Sequence, residues 1–133
     1  MKQSIFKIIE NTQLTSTVFK MKLSGDVSEI TSPGQFVNIK LQGLYLRRPI
    51  SVCDCENGVL TLIYKVVGKG TEQMAGMKAG EKLDVLTGLG NGYDLSLSGD
   101  KPVLLGGGVG VPPLYMLAKK LIEEGKKVSV ILG

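Results

Sequence analysis

A small antiparallel β-barrel followed by the start of a doubly wound α/β sheet is the fold class this sequence predicts. Two observations carry the prediction. Residues 1 to 98 hold short strand-like runs separated by turn signals, the texture of a Greek-key barrel or sandwich. From residue 99 the texture changes to apolar strand, glycine cluster, helix-period segment and second apolar strand, which is the opening of a parallel sheet. The expected division is a barrel domain over 1–98 and a first, incomplete β-α-β unit over 99–133.

The strand runs follow in order: SIFKIIE, STVFKMKL, QFVNIKL, PISVCDC, VLTLIYKVV and EKLDVLTG. Each is rich in β-branched and apolar residues, and the turn signals SPG, ENG and KAG punctuate them. In VVGKGTEQMAGM (66 to 77), Gly68 and Gly70 precede Thr71, which is placed to cap a short helix from Glu72 to about Met77. Such a loop can offer backbone N–H groups and a hydroxyl to a phosphate, or it can be an ordinary capped turn. After PVLLG comes GGGVGVPPLYMLAKKLIEEG (106 to 125), where Leu114, Leu117, Ala118 and Leu121 keep helical spacing. Pro112 and Pro113 suit a first helical turn, where a missing N–H costs little. Glycines 106, 107, 108 and 110 allow close approach of a phosphate to the backbone, or simply a tight strand-to-helix turn. The spacing departs from G-x-G-x-x-G, because Pro113 stands where the last glycine would fall. VSVILG then closes the unit at Gly133. A parallel sheet needs cover on both faces, so a longer chain or a second chain is expected to complete it, and the uncovered strands are expected to favour association.

Composition narrows the chemistry. Sixteen basic and twelve acidic residues give a net charge of +4, with the lysines scattered, aromatics at 5% and no tryptophan. That is a poor supply for a nucleic-acid surface. No apolar run reaches the ~18 residues of a membrane span. The N-terminal MKQSIFKIIENTQL lacks the apolar core and cleavage site of a secretory signal, so the expected location is cytoplasmic. The sequence has no histidine, which removes catalytic triads and imidazole ligands. Cys53 and Cys55, two apart on a strand, are expected to share a face as reduced packing residues, and no metal site is expected. Whatever chemistry the chain supports would therefore rest with a bound cofactor.

LRRPIS (46 to 51) places two arginines and a proline within a strand. Pro49 marks an edge, a bulge or a strand start. The planar fork of Arg48 suits a diphosphate, and Ser51 offers a small hydroxyl nearby. A solvated arginine pair is the bland alternative.

Taken in order, Arg48-Pro49-Ile50-Ser51, Gly70-Thr71 and the run from Gly106 to Leu114 resemble the ferredoxin–NADP reductase superfamily. GQFVNIK, LRRPISVCD, LIYKVVGKGTEQM and LDVLTGLGNGY are similar, more narrowly, to the electron-transfer subunits of NAD-dependent dihydroorotate dehydrogenases. The resemblance covers essentially the whole chain. It implies an FAD-binding barrel and a C-terminal domain that takes NAD as co-substrate. Arg48 is then expected at the flavin pyrophosphate, Pro49 and Ile50 along the isoalloxazine, and Ser51 in the catalytic position near the flavin N5. Ile63, Tyr64 and Lys65 are expected on the ribose and adenine side, and Gly70 and Thr71 at the phosphates. Gly106, Gly107, Gly108 and Gly110 would floor the nicotinamide site. Arg47 has no matched role and is expected as an exposed charge.

The implied function is electron relay in pyrimidine biosynthesis. The partner would be an FMN-containing dihydroorotate dehydrogenase catalytic subunit, and electrons would cross an iron–sulfur cluster to FAD and then NAD. The family's cluster cysteines match neither Cys53 nor Cys55, so no cluster is expected in this chain. It is expected to hold FAD weakly and not to complete the relay. Two other readings stay open: a different reductase of the superfamily, such as a subunit of a ferredoxin-dependent NADP oxidoreductase or a sulfide dehydrogenase, and a non-enzymatic binding module without flavin.

Overall fold

The computed structural model describes residues 1–133, Val109 by its backbone alone. Six strands, β1 (Lys2–Gln13), β2 (Val18–Ser24), β3 (Phe36–Lys40), β4 (Arg48–Glu56), β5 (Val59–Lys65) and β6 (Lys82–Leu89), close into a barrel. All of the pairings are antiparallel, in the order β1-β2-β5-β4-β3-β6. Three consecutive strands, β3 to β5, lie side by side, and β2 sits against β5 after the long connection 25–35. That arrangement is a Greek key.

Closure depends on β1. Its first half, Lys2 to Lys7, pairs with β6, and its second half, Lys7 to Gln13, pairs with β2. A bulge between Ile8 and Glu10 separates the halves and bends the strand far enough to serve both neighbours. The β4–β5 hairpin turns on Asn57 (φ 53°) and Gly58 (φ 75°). This is the two-residue Asn-Gly loop whose twist matches the flanking strands. Alternation then sends Phe6, Ile8, Met21, Leu23, Val37, Ile39, Leu60, Leu62 and Val85 into a fully buried interior.

Helix α1 (Lys69–Ala75) lies in the β5–β6 connection and seals the barrel with Met74. It starts at Lys69 rather than at Glu72, and Gly68, in an extended conformation, takes the cap position. Thr71 therefore stands inside the first turn. Its hydroxyl accepts from the Gly68 and Val67 amides at 3.2 and 2.8 Å, closing from within the helix the turn it was expected to cap.

Beyond the barrel, β7 (Val103–Gly106) and β8 (Ser129–Leu132) pair in parallel and are joined by α2 (Pro112–Glu123). Pro112 and Pro113 occupy the first helical positions as expected. Leu114, Leu117 and Leu121 pack on Leu104, and Ala118 borders that cluster. Met116 points away from it and is buried in the barrel core, so α2 bridges the two units. Val103, Leu105, Val130, Ile131 and Leu132 are exposed on the two-stranded sheet. Among the described residues no helix is long and apolar enough to cross a membrane.

The two cysteines do not share a face. Val52 pairs with Leu62 and Cys55 with Leu60, both partners being core residues, and the register shifts by one residue between Val52 and Asp54. That extra residue breaks the period-two alternation, so Cys53 leaves the side that Cys55 takes. Both thiols are free.

Candidate functional site

The barrel opens where β4 and β5 part. From Arg48 to Ser51, β4 pairs only with β3, through Ile39, Asn38, Val37 and Phe36, and its pairing with β5 begins at Val52. Beyond Leu62, β5 pairs with β2 alone, Ile63 facing Lys20, Tyr64 facing Phe19 and Lys65 facing Val18. Pro49, with no amide hydrogen to donate, sits on the stretch whose β5 side is unpaired. The gap is a cavity of about 410 Å³ lined by Arg48, Pro49, Ile50, Ser51, Ile63, Tyr64, Lys65, Val67 and Thr71. Its walls are mostly apolar, with a few polar groups at fixed places, as in small-molecule sites.

Arg48 is held across the first turn of α1. A Cβ on Gly70 would fall 2.4 Å from Arg48 Nε and 2.7 Å from its Cγ, so the arginine stem occupies the space a side chain would need. Arg48 Nη1 donates to the Leu46 carbonyl at 2.6 Å. Ser51 is exposed and lines the cavity, and among the described residues its hydroxyl has no hydrogen-bond partner. Thr71 borders the cavity, but its hydroxyl is engaged with the loop, accepting from Val67 and Gly68 and donating to the Gly68 carbonyl. It orders the loop around Gly70 and does not stand as an idle donor.

Tyr64 stiffens the opposite wall. Its ring stacks on Phe19 with centroids 5.9 Å apart, and its hydroxyl donates to Asn11 Oδ1 at 2.9 Å. Burial pushes the phenol up to about 12. Asn11 Nδ2 in turn donates to the carbonyls of Met74 and Met77, at 2.8 and 2.9 Å. The C-terminal end of α1 is thus tied to the strand that supports the cavity. Nothing in the spacing of β1 marks Asn11, because its partners lie more than fifty residues away.

A second cleft of about 520 Å³ adjoins the first, lined by Thr17, Val18, Ile63, Lys65, Gly107, Gly108 and Pro112. Ile63 and Lys65 belong to both, so β5 separates barrel cavity from glycine loop. Gly107 and Gly108 therefore stand beside the barrel motif, whereas Gly106 and Gly110 line neither space. Gly106 has a packing role instead: a Cβ there would sit 2.6 Å from Leu114 Cδ1.

Arg47 is not a solvated charge. Its Nη2 meets Asp84 Oδ1 at 3.0 Å, and its Nη1 donates to the Asn38 carbonyl at 3.2 Å. Gln3 donates to the other Asp84 oxygen at 2.7 Å. Arg47, just ahead of β4, ties the start of that strand to β3 and β6, while Arg48, its first residue, lines the cavity.

No protein-family model matches the chain. The electron-transfer subunit of dihydroorotate dehydrogenase B (NAD(+)) from Enterococcus faecalis strain ATCC 700802 / V583 is 48% identical over 139 residues, covering 99% of this chain and 53% of the relative. Among solved structures, one reported for an NADH-dependent reduced ferredoxin-NADP oxidoreductase superimposes with a TM-score of 0.86 at 33% identity, over 98% of this chain and 48% of the other. The chain is a homologue of these electron-transfer proteins, with a ferredoxin–NADP reductase-type fold. A ferredoxin NADP+ reductase from Neisseria gonorrhoeae, solved with bound FAD and NADP, shares that fold with a TM-score of 0.83 at 20% identity, over 99% of this chain and 57% of the other. The chain spans about half the length of the curated relatives it matches.

Proposed function

We propose that this chain is the flavin-carrying part of an electron-transfer subunit. On this reading it relays electrons from an FMN-containing dihydroorotate dehydrogenase catalytic subunit through FAD to NAD, in pyrimidine biosynthesis and in the cytoplasm. The observation that carries it is the opening between β4 and β5, where the arginine, the proline and the serine of one strand face the apolar end of another.

The residues present fit the cofactor. A flavin needs a flat apolar slot and a cation for its diphosphate; Pro49, Ile50, Ile63 and Tyr64 supply the walls and Arg48 the cation. Gly70 would let Arg48 lie close against α1, and Ser51 would hydrogen-bond the ring near its reacting edge. Thr71 supports the loop that the phosphates approach, and Lys65 faces the cofactor's outer side. Gly107 and Gly108 would present backbone to a nicotinamide, with Gly106 and Gly110 shaping the turn. Bound FAD would supply the hydride and electron chemistry, and the protein its position and surroundings. Residues 1–98 then form the flavin unit and 99–133 open the nucleotide unit. We do not assign an iron–sulfur cluster to Cys53 or Cys55, since Cys53 is buried and Cys55 packs on the barrel core.

The likeness to the ferredoxin-NADP oxidoreductase structure favours one second reading, a reductase subunit with another protein partner. Electron transfer on mixing the FAD-loaded subunit with a dihydroorotate dehydrogenase catalytic subunit separates the two. The site itself is tested by the visible spectrum of the purified chain with FAD, repeated for Arg48→Ala. A retained, perturbed flavin band that the substitution weakens about tenfold or more is expected, the effect of one charge-assisted contact. A folded, unmutated chain that stays colourless would falsify the flavin reading and leave a binding module.

A further inference from the structure

Gly106, Gly107, Gly108 and Gly110 carry no side chains with which to hold the glycine loop against the barrel. What orients it is the element that follows. Helix α2 starts from the loop, runs along β4 and is pinned there at two points. Met116 is 3% exposed and sits in the barrel core cluster. One turn on, Lys119 Nζ lies 2.7 Å from Asp54 Oδ1 and 3.3 Å from Glu56 Oε2, with the Tyr115 ring centroid 5.7 Å away. The Lys119 and Asp54 side chains are 26% and 18% exposed, so this pair is sheltered more than a free surface pair.

The geometry points to Lys119 as a positioning residue: its ion pairs with Asp54 and Glu56 set where α2 lies along β4, and thereby hold Gly107 and Gly108 across the cleft from Ile63 and Lys65. The bulge at Cys53 shortens the advance of β4 from Ser51 to Asp54 to about 7 Å, whereas α2 advances about 10 Å from Pro112 to Lys119. A clasp at Asp54 and Lys119 therefore brings the start of α2 just past Ser51, where Pro112 lines the cleft with Ile63 and Lys65. Met116 supplies the grip but little direction, because an apolar contact is non-directional. The charged clasp supplies the register. That the loop so placed faces a nicotinamide rests on the flavin reading above; the placement itself does not.

Thr17→Cys and Gly107→Cys put thiols on opposite walls of the cleft. The rate at which they join in a glutathione redox buffer reports how well the loop is held. Lys119→Met is expected to slow that rate about tenfold, as the effective concentration of one thiol near the other falls. The exchanged pair Lys119→Asp with Asp54→Lys is expected to restore it, which a loss of helix packing alone would not allow. Circular dichroism checks that each variant is folded, and Glu56→Gln serves as a milder version. An unchanged rate in folded Lys119→Met, or no rescue by the exchanged pair, overturns the proposal. FAD titration of the same proteins keeps the two questions apart: a colourless parent chain defeats the flavin reading and leaves the cross-linking result standing.

Discussion

The Arg48 side chain lies across the backbone of Gly70 so closely that a Cβ there would meet Nε at 2.4 Å. Since the obstructing atoms belong to a flexible side chain, a methyl group at this position displaces the arginine rather than the helix. Gly70→Ala is therefore expected to leave stability nearly unchanged, because the gain of helix propensity, about 1 kcal/mol, offsets the repacking. FAD retention is expected to fall about tenfold, as for loss of a charge-assisted contact. Urea unfolding and flavin titration of one preparation give both numbers; a variant that binds flavin normally sinks the idea that Arg48 must lie there.

Arg47 and Arg48 are adjacent and are expected to fail differently. Arg47→Ala leaves the half-buried Asp84 carboxylate with Gln3 but without its cation, which costs about 1–3 kcal/mol of stability. Its folded fraction is expected to bind FAD as the parent does. Arg48→Ala is expected to do the reverse. Equal effects of the two substitutions on flavin affinity would contradict the division.

Tyr64→Phe keeps the stack on Phe19 and removes the donor to Asn11 Oδ1. An orphaned buried acceptor costs about 1–3 kcal/mol, measurable as a shift in the urea midpoint. In the parent, the phenol is raised above its ordinary value of 10.0 to about 12, so the neutral form is favoured by folding. Its contribution is fully present below pH ~10 and is lost as pH rises from there to ~12. The parent is thus expected to lose stability across that window more steeply than Tyr64→Phe, and parallel curves would remove Tyr64 as the cause.

The cysteines are expected to be slow nucleophiles. Burial, helped by the Asp54 charge, pushes the Cys53 thiol up to about 11 and raises that of Cys55. Little thiolate exists at pH 8, and reaction with an aromatic disulfide reagent is expected to be slow until urea is added. Prompt modification of both thiols in the folded chain would argue against the packing described.

Much of the fold could be read locally. Alternation in SIFKIIE, QFVNIK and VLTLIY, the Asn57–Gly58 turn and the leucine spacing after Pro113 all depend on residues a few positions apart. The barrel motif around Arg48 was legible for the same reason, as a short stretch with an improbable charge and a proline.

The barrel order, the parting of β4 from β5 ahead of Val52, the bulge that separates Cys53 from Cys55 and the inward turn of Met116 were decided by tertiary structure. So were the partners of Arg47 and Asn11, which lie far away in sequence. A pattern of period two or 3.6 says which face of a segment is apolar, whereas register and pairing depend on which distant segments compete for that face. Sequence determined that an arginine, a proline and a serine stand together on one strand; only the closing of the barrel decided that they face Ile63, Tyr64 and Thr71 across one cavity, with Gly107 and Gly108 in the neighbouring cleft.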